Sequence, residues 1–279
     1  MPELPECESV VRKIRPRVWG CEIIGFMRSN HGKLPDVVQE QVAGQTINHI
    51  GRLGKYIVFK LDDGYLISHL RMTGQWEFTD ADQPGPNANK HFRWALSIRG
   101  HDGEFAGFLW FKDVRRFGTL VWVKELLDYP AFEKLGPDGL ALEDKKNVFQ
   151  VMSRAKRTRR PIKNFILDQK VIAGVGNIYA SEALFATRID PTTPTKQVPP
   201  SRIKELCSNL VSIFRQAIEL GGSSISDHGG GEYQNILKVY GRDGEPCYEC
   251  GTTIEKLTQA GRGTFLCPKC QGGEEHEHS

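Results

Sequence analysis

Residues 247–270 read CYECGTTIEKLTQAGRGTFLCPKC. Cys247 and Cys250 are separated by two residues, and Cys267 and Cys270 repeat that spacing after residues 251–266. Two such turns aim four thiolates at one ion, with Zn–S bonds of about 2.3 Å. Four protein ligands leave no coordination position for water, so the spacing predicts one structural zinc ion rather than a catalytic one. A pair of redox dithiols is the alternative use of the same cysteines. The residues between the pairs can form a hairpin with Gly261-Arg262-Gly263 at its tip. A glycine-flanked arginine there is either a solvated side chain or a phosphate ligand.

Upstream of this module the chain changes character twice. Residues 203–217 carry Ile203, Leu206, Leu210, Ile213, Phe214 and Ala217 on one helical face, and Gly221-Gly222 ends that helix. Ser223–Tyr233 follows as a loop. Before about residue 135 the pattern is mostly β. Tyr56–Leu61, Tyr65–Leu70, Phe92–Arg99, Glu104–Phe111 and Phe117–Val123 are rich in aromatic and branched residues. Asp62-Asp63-Gly64 and Gly100-His101-Asp102-Gly103 punctuate them as turns, and Asp80–Asn89 reads as a loop. Closely spaced strands without intervening helices predict an antiparallel sandwich. A first helix spans 3–18, with Val10, Val11, Ile14 and Val18 on one face and Pro16 expected to kink or end it. The fold class is therefore α+β and multidomain: an N-terminal antiparallel β-sandwich with flanking helices, then a helical part, then a four-Cys zinc finger.

Composition narrows the function. The chain has 279 residues and a net charge of +3, and 39% of it is hydrophobic. No apolar run reaches the roughly 18 residues that a membrane span needs. MPELPECESVV lacks the apolar region of a signal peptide, so the expectation is a cytoplasmic protein with no membrane partner. Cys7, Cys21 and Cys207 are scattered and read as small apolar fillers. Residues 154–163, RAKRTRRPIK, hold six basic residues and no acid. Such a run is either a solvated face or a phosphate-binding surface. Gly174-Val175-Gly176 does not follow a strand in the pattern of a dinucleotide loop, so no nucleotide cofactor is expected.

Pro2 opens two readings. It and Glu3 either start the helix or carry chemistry. Removal of Met1 would leave a secondary amine at Pro2, and such an amine forms an iminium ion that is cationic without a proton. Glu3 beside it could then move protons.

The opening PELPE is joined, in one order, by Gly54-Lys55-Tyr56, His69-Leu70-Arg71-Met72-Thr73-Gly74 and Asp113-Val114-Arg115-Arg116-Phe117-Gly118. GVGNIYASE (174–182), Val239-Tyr240-Gly241-Arg242 and GRGTFLCPKCQ (261–271) follow. Together, from Pro2 to Gln271, these motifs closely resemble the formamidopyrimidine-DNA glycosylase family, bacterial enzymes that repair oxidised purines.

The resemblance implies residues 1–135 as a catalytic β-sandwich domain and 136–236 as a helix–two-turns–helix DNA-binding domain. It implies 237–271 as the zinc finger; the composition of GGEEHEHS makes 272–279 a disordered tail. It implies Pro2 as nucleophile, Glu3 as proton donor, Glu6 as a residue shaping the site, and Lys55 as a phosphate contact assisting β-elimination. His69, Asn177 and Arg262 would clamp phosphates, with Arg262 also linked to δ-elimination.

A damaged base must leave the duplex to be reached, and a wedge must fill its place. Helical or strand periodicity alone makes Met72 and Phe117 core residues; the resemblance makes Met72, Arg115 and Phe117 the wedge. His91, Arg157 and Arg159 become further DNA contacts. The implied partner is double-stranded DNA with an oxidised base or abasic site, bound by a monomer acting at the bacterial nucleoid. Two rivals are a related glycosylase for oxidised pyrimidines and a non-catalytic zinc-dependent binder of damaged DNA. The PELPE opening and the wedge set argue against the first, and Pro2, Glu3 and Lys55 against the second. The chain departs from the family pattern at Cys7, Ser9 and Gly263, and in the short, glycine-rich loop 223–233, which bears on base specificity.

Overall fold

The computed structural model describes residues 1–29, 37–223 and 231–272. Most of the glycine-rich loop and nearly all of the expected tail lie outside the described residues. Contacts divide the chain into two compact units. One holds Met1–Lys134 with Gly221–Gly231; the other holds Leu135–Leu220 with Glu232–Ser279.

The first unit opens with helix α1 (Leu4–Val18), whose face of Cys7, Val11, Ile14 and Val18 is buried. Pro16 does not end it. Proline in a last turn forfeits one hydrogen bond near a helix end, and the helix continues to Val18. Strand β1 (Glu22–Arg28) and the short helix α2 (Val37–Val42) follow. Next come β2 (His49–Leu53), β3 (Tyr56–Lys60), β4 (Tyr65–His69) and β5 (Gly74–Asp80). β6 (Phe92–Arg99), β7 (Phe105–Asp113) and β8 (Thr119–Val123) complete the unit. They form two antiparallel four-stranded sheets, ordered β1-β6-β7-β5 and β2-β3-β4-β8.

One core joins both sheets and α1. Trp76 meets Phe59 of the other sheet edge to face at 5.4 Å, and Trp94 stacks on Phe111 at 4.3 Å. Burying aromatics of this size contributes a few kcal/mol each, so the sandwich is the stable platform from which the loops project.

The second unit contains α3 (Lys145–Ala155), α4 (Ile162–Ile166), α5 (Asn177–Ala186) and α6 (Pro200–Glu219). The hairpin of β9 (Glu255–Gln259) and β10 (Arg262–Leu266) follows, then the short α7 (Pro268–Gln271). α5 is apolar nearly all round and is buried accordingly, with Tyr179 edge-on to Phe214 of α6 at 5.4 Å. No described helix is long and apolar enough to cross a membrane.

Candidate functional site

In the first unit, Glu3 occupies the N-cap position of α1, and its N–H donates to Glu6 Oε2 at 2.8 Å. The other carboxylate oxygen of Glu6 accepts from Ser223 N–H at 2.8 Å. Gly222, at φ +87°, lies so close that a Cβ there would sit 3.0 Å from Glu6 Cγ and Oε1. Glu6 therefore joins the start of α1 to the stem of the 223–233 loop. Pro2, Glu3 and Glu6 are all buried.

One turn along α1, the Cys7 thiol donates to the Lys55 carbonyl at 3.4 Å, and burial pushes that thiol up to about 12. Cys7 is thus a filler that also fixes the Gly54-Lys55 turn between β2 and β3. Gly54 takes φ +57° there. Tyr56, next along, pairs across the sheet with His69, their rings edge to face at 4.7 Å. His69 is buried, and its Nδ1 accepts Arg71 N–H at 2.9 Å. Burial, reinforced by the Arg71 and Lys55 cations, pulls its pKa down to about 3. The imidazole is neutral at pH 7, and with Nδ1 accepting, its proton sits on Nε2, ready to donate. The Cys7 thiol on the Lys55 carbonyl and the Tyr56–His69 ring contact thus tie the helix that follows Pro2 and Glu3 to the segments that carry Lys55 and His69.

A second group of candidates stands on the loops of the same unit. Met72 is half-buried in the turn 70–74, closed by Gly74 N–H to the Leu70 carbonyl at 3.0 Å. Arg115 lies over the exposed Phe117 ring at 5.0 Å. Phe117 is 53% exposed, so the sandwich core does not use it. His91 is half-buried at the entry to β6, and its carbonyl accepts Asp113 N–H at 2.9 Å.

In the second unit, Asn177 is the first residue of α5, and its Nδ2 donates to the Gly263 carbonyl at 2.9 Å. Lys163 donates to the same carbonyl at 3.0 Å and to Thr264 Oγ1 at 2.7 Å. Lys163 is completely buried, so it is neither the solvated residue nor the open phosphate ligand that the basic run 154–163 allows. Within that run Arg160 is held by Asp168 at 3.0 Å and by the Asn164 carbonyl at 2.6 Å. Arg157 and Arg159 are exposed, and neither guanidinium has a hydrogen-bond or ion-pair partner among the described residues.

Arg262 is exposed but is not at the hairpin tip. Gln259 pairs with Arg262, and Ala260 and Gly261 form the two-residue turn at φ +48° and +72°. Arg262 is the first residue of β10, one position before the doubly held Gly263.

The four cysteines converge. One ligand atom from each lies within 4.8 Å of the others. Cys247 and Cys270 sulfurs are 3.9 Å apart, and Cys250 and Cys267 sulfurs 3.4 Å. A tetrahedron with Zn–S of about 2.3 Å requires S–S separations of about 3.8 Å, so the donor set fits a zinc ion. Phe185, Val239, Ile254 and Phe265 pack around it.

Residues 1–120 match the family described as the formamidopyrimidine-DNA glycosylase N-terminal domain, and 135–228 its H2TH domain. Residues 244–272 match the zinc finger found in FPG and IleRS. The formamidopyrimidine-DNA glycosylase of Lactococcus lactis subsp. cremoris is 37% identical, over 97% of this chain and 99% of its own. That of Geobacillus kaustophilus is 38% identical, over 97% and 100%. The chain belongs to the formamidopyrimidine-DNA glycosylase family.

Its structural likenesses agree. MutM in complex with carbocyclic 8-oxo-G containing DNA superposes with a TM-score of 0.84 at 35% identity, covering 97% of this chain and 99% of that one. The Lactococcus lactis FPG complex with a FAPY-dG containing DNA gives 0.84 at 36%, covering 96% and 99%. Against this formamidopyrimidine-DNA glycosylase frame, sequence reasoning missed three buried polar residues. Lys163 was hidden inside a basic run. Glu182 of α5 accepts the N–H groups of Lys238, Val239 and Tyr240 at 2.8–3.0 Å, yet reads as an ordinary helical acid. Asp113, only 1% exposed, opens the DVRRFG motif and reads as a turn residue. An acid within an otherwise apolar helix was the one available signal, at Glu182.

Proposed function

We propose that this chain is a base-excision repair enzyme that removes oxidised purines, formamidopyrimidines and 8-oxoguanine opposite cytosine, from double-stranded DNA. It then cuts the abasic strand. The observation that carries the proposal is the buried start of α1, with Pro2 and Glu3, tied through Cys7 to the Gly54-Lys55 turn beside Tyr56 and His69, in a chain that aligns end to end with formamidopyrimidine-DNA glycosylases.

Removal of Met1 leaves Pro2 with a secondary amine. Its lone pair attacks the deoxyribose C1′, and an N–C1′ bond forms as the bond to the base breaks. The base leaves with that electron pair and takes up a proton. Glu3 protonates the ring oxygen, the sugar opens, and an iminium ion joins Pro2 to C1′. Its positive charge draws electron density from C2′, so loss of a C2′ proton expels the 3′ phosphate by β-elimination. A second elimination expels the 5′ phosphate.

Lys55 and the Nε2–H of neutral His69 hold lesion-strand phosphates. Asn177 and Arg262 extend that grip, and Arg262 assists δ-elimination. His91, Arg157 and Arg159 add backbone contacts, and Met72, Arg115 and Phe117 fill the space the base vacates. One zinc ion on Cys247, Cys250, Cys267 and Cys270 keeps the Arg262 hairpin rigid and takes no part in the reaction. Residues 1–135, 136–236 and 237–271 divide these tasks as catalytic domain, DNA-binding domain and zinc finger. The enzyme works as a monomer in the bacterial cytoplasm, with no nucleotide cofactor.

Borohydride reduction during turnover tests this. An 8-oxoguanine·cytosine duplex should yield a covalent protein–DNA adduct. Trapping on thymine glycol duplex alone would make the chain a pyrimidine enzyme, and tight binding with no adduct on any lesion would make it a binder only.

A further inference from the structure

We propose that Asp113 is the positioning residue for the base-stack wedge, its carboxylate fixing the loops that carry Met72, Arg115 and Phe117 as one unit. The inference rests on the wedge assignment made above and assigns a role to a residue outside it.

The bonds converge on one buried group. Asp113 Oδ1 accepts from the Thr73 hydroxyl and from Arg115 N–H at 3.2 Å, and Oδ2 accepts from Gly118 N–H at 2.7 Å. Thr73 Oγ1 itself accepts from Arg115 N–H at 2.9 Å. Thr73 follows Met72, and Gly118 follows Phe117, so the carboxylate grips the chain next to each wedge residue. The Asp113 backbone pairs with Gly74 across β5 and β7, and its N–H donates to the carbonyl of His91, a further DNA-contact candidate.

Burial makes these bonds consequential. Asp113 is 1% exposed and Thr73 5%. A buried carboxylate is retained only when its oxygens are satisfied, and losing one partner costs more than the bond is worth in water. Both loops also contain a non-glycine residue in the left-handed region, Arg71 at φ +55° and Arg116 at φ +62°. Such conformations persist where surrounding contacts over-determine them. The packing beneath is equally fixed: a Cβ at Gly74 or Gly118 would lie 2.3 or 2.5 Å from the Phe111 ring. Two strained loops on one rigid floor, joined by one carboxylate, give Met72, Arg115 and Phe117 a common position before DNA arrives.

Wedging matters only when a stack must be opened. The readout is therefore the ratio of abasic-site cleavage in duplex DNA to cleavage in the same oligonucleotide as a single strand. Thr73→Val keeps volume and removes the hydroxyl. We expect that ratio to fall about tenfold or more, the effect of losing one hydrogen bond to a charged group. Thr73→Ser should restore it. Asp113→Asn should reproduce the fall, and Thr73→Val carries the test if Asp113→Asn does not fold. Phe117→Ala reports on the wedge itself. A lower ratio in Phe117→Ala with an unchanged ratio in Thr73→Val overturns the role of Asp113 and leaves the wedge standing. An unchanged ratio in Phe117→Ala overturns both.

Discussion

Replacing His69 by Gln should make this protein more stable in mild acid and less stable at neutral pH. The ring is buried, and two neighbouring cations help to hold its pKa near 3, against 6.5 in an unfolded chain. Between those values the unfolded chain binds a proton at this site and the native protein does not. Stability then rises with pH, so the native state is at full strength above about pH 6.5 and loses it as pH falls toward 3. At pH 4.5 the histidine has cost the native state about 3 kcal/mol that it does not cost at pH 7.5. Glutamine does not titrate. At pH 7.5 its loss of the Tyr56 ring contact and of the Arg71 N–H acceptor should cost about 1 kcal/mol.

The two proteins should therefore exchange order, with the variant ahead by roughly 2 kcal/mol at pH 4.5. Urea unfolding followed by tryptophan fluorescence is the appropriate assay. Trp19, Trp76, Trp94, Trp110 and Trp122 all lie in the unit that contains His69, so the signal reports on that unit. Equal stability differences at the two pH values would refute both the depressed pKa and the neutral Nε2–H donor inferred from it.

Other perturbations follow from the same contacts. Gly222→Ala puts a Cβ 3.0 Å from Glu6 at φ +87°; it should cost about 1–2 kcal/mol in urea unfolding and slow single-turnover base release. Lys163→Met leaves the Gly263 carbonyl to Asn177 alone, and gel analysis should show δ-elimination falling relative to β-elimination, as with Arg262→Ala. Metal analysis should find one zinc per chain, and a chelator should abolish DNA binding while the tryptophan unfolding curve stays in place; full binding by metal-free protein would contradict the hairpin's role.

Much of the fold could be read in the sequence where a pattern was local. The five anticipated strands fall within two residues of β3, β4, β6, β7 and β8, because alternation and turn residues are short-range signals. β1, β2 and β5 were missed. EIIGFMR and HIGRL each contain a glycine, and GQWEFTD begins with one, so none reads as a plain β run. The cysteine cluster was legible from spacing alone. Phe117 was not legible from periodicity: an aromatic beside a strand reads as core, and the resemblance and its 53% exposure show otherwise. The roles of Asp113 and Lys163, and the tie of Glu6 to the 223–233 loop, were illegible for a different reason. Each is defined by a partner distant in sequence, and in Glu6 the distance is 217 residues to Ser223. Composition and periodicity carry no information about such pairs.

In the proposed reaction the N-terminal proline, and no other amine, attacks the sugar. Two of the proposed catalytic residues carry an amine, Pro2 and Lys55. Borohydride-trapped complex made with 8-oxoguanine duplex should be digested and mapped by mass spectrometry. A reduced sugar adduct should appear on the peptide that begins at Pro2, with Met1 gone, and no adduct should form when Met1 is retained. An adduct on Lys55, or trapping undiminished by a retained Met1, would contradict it.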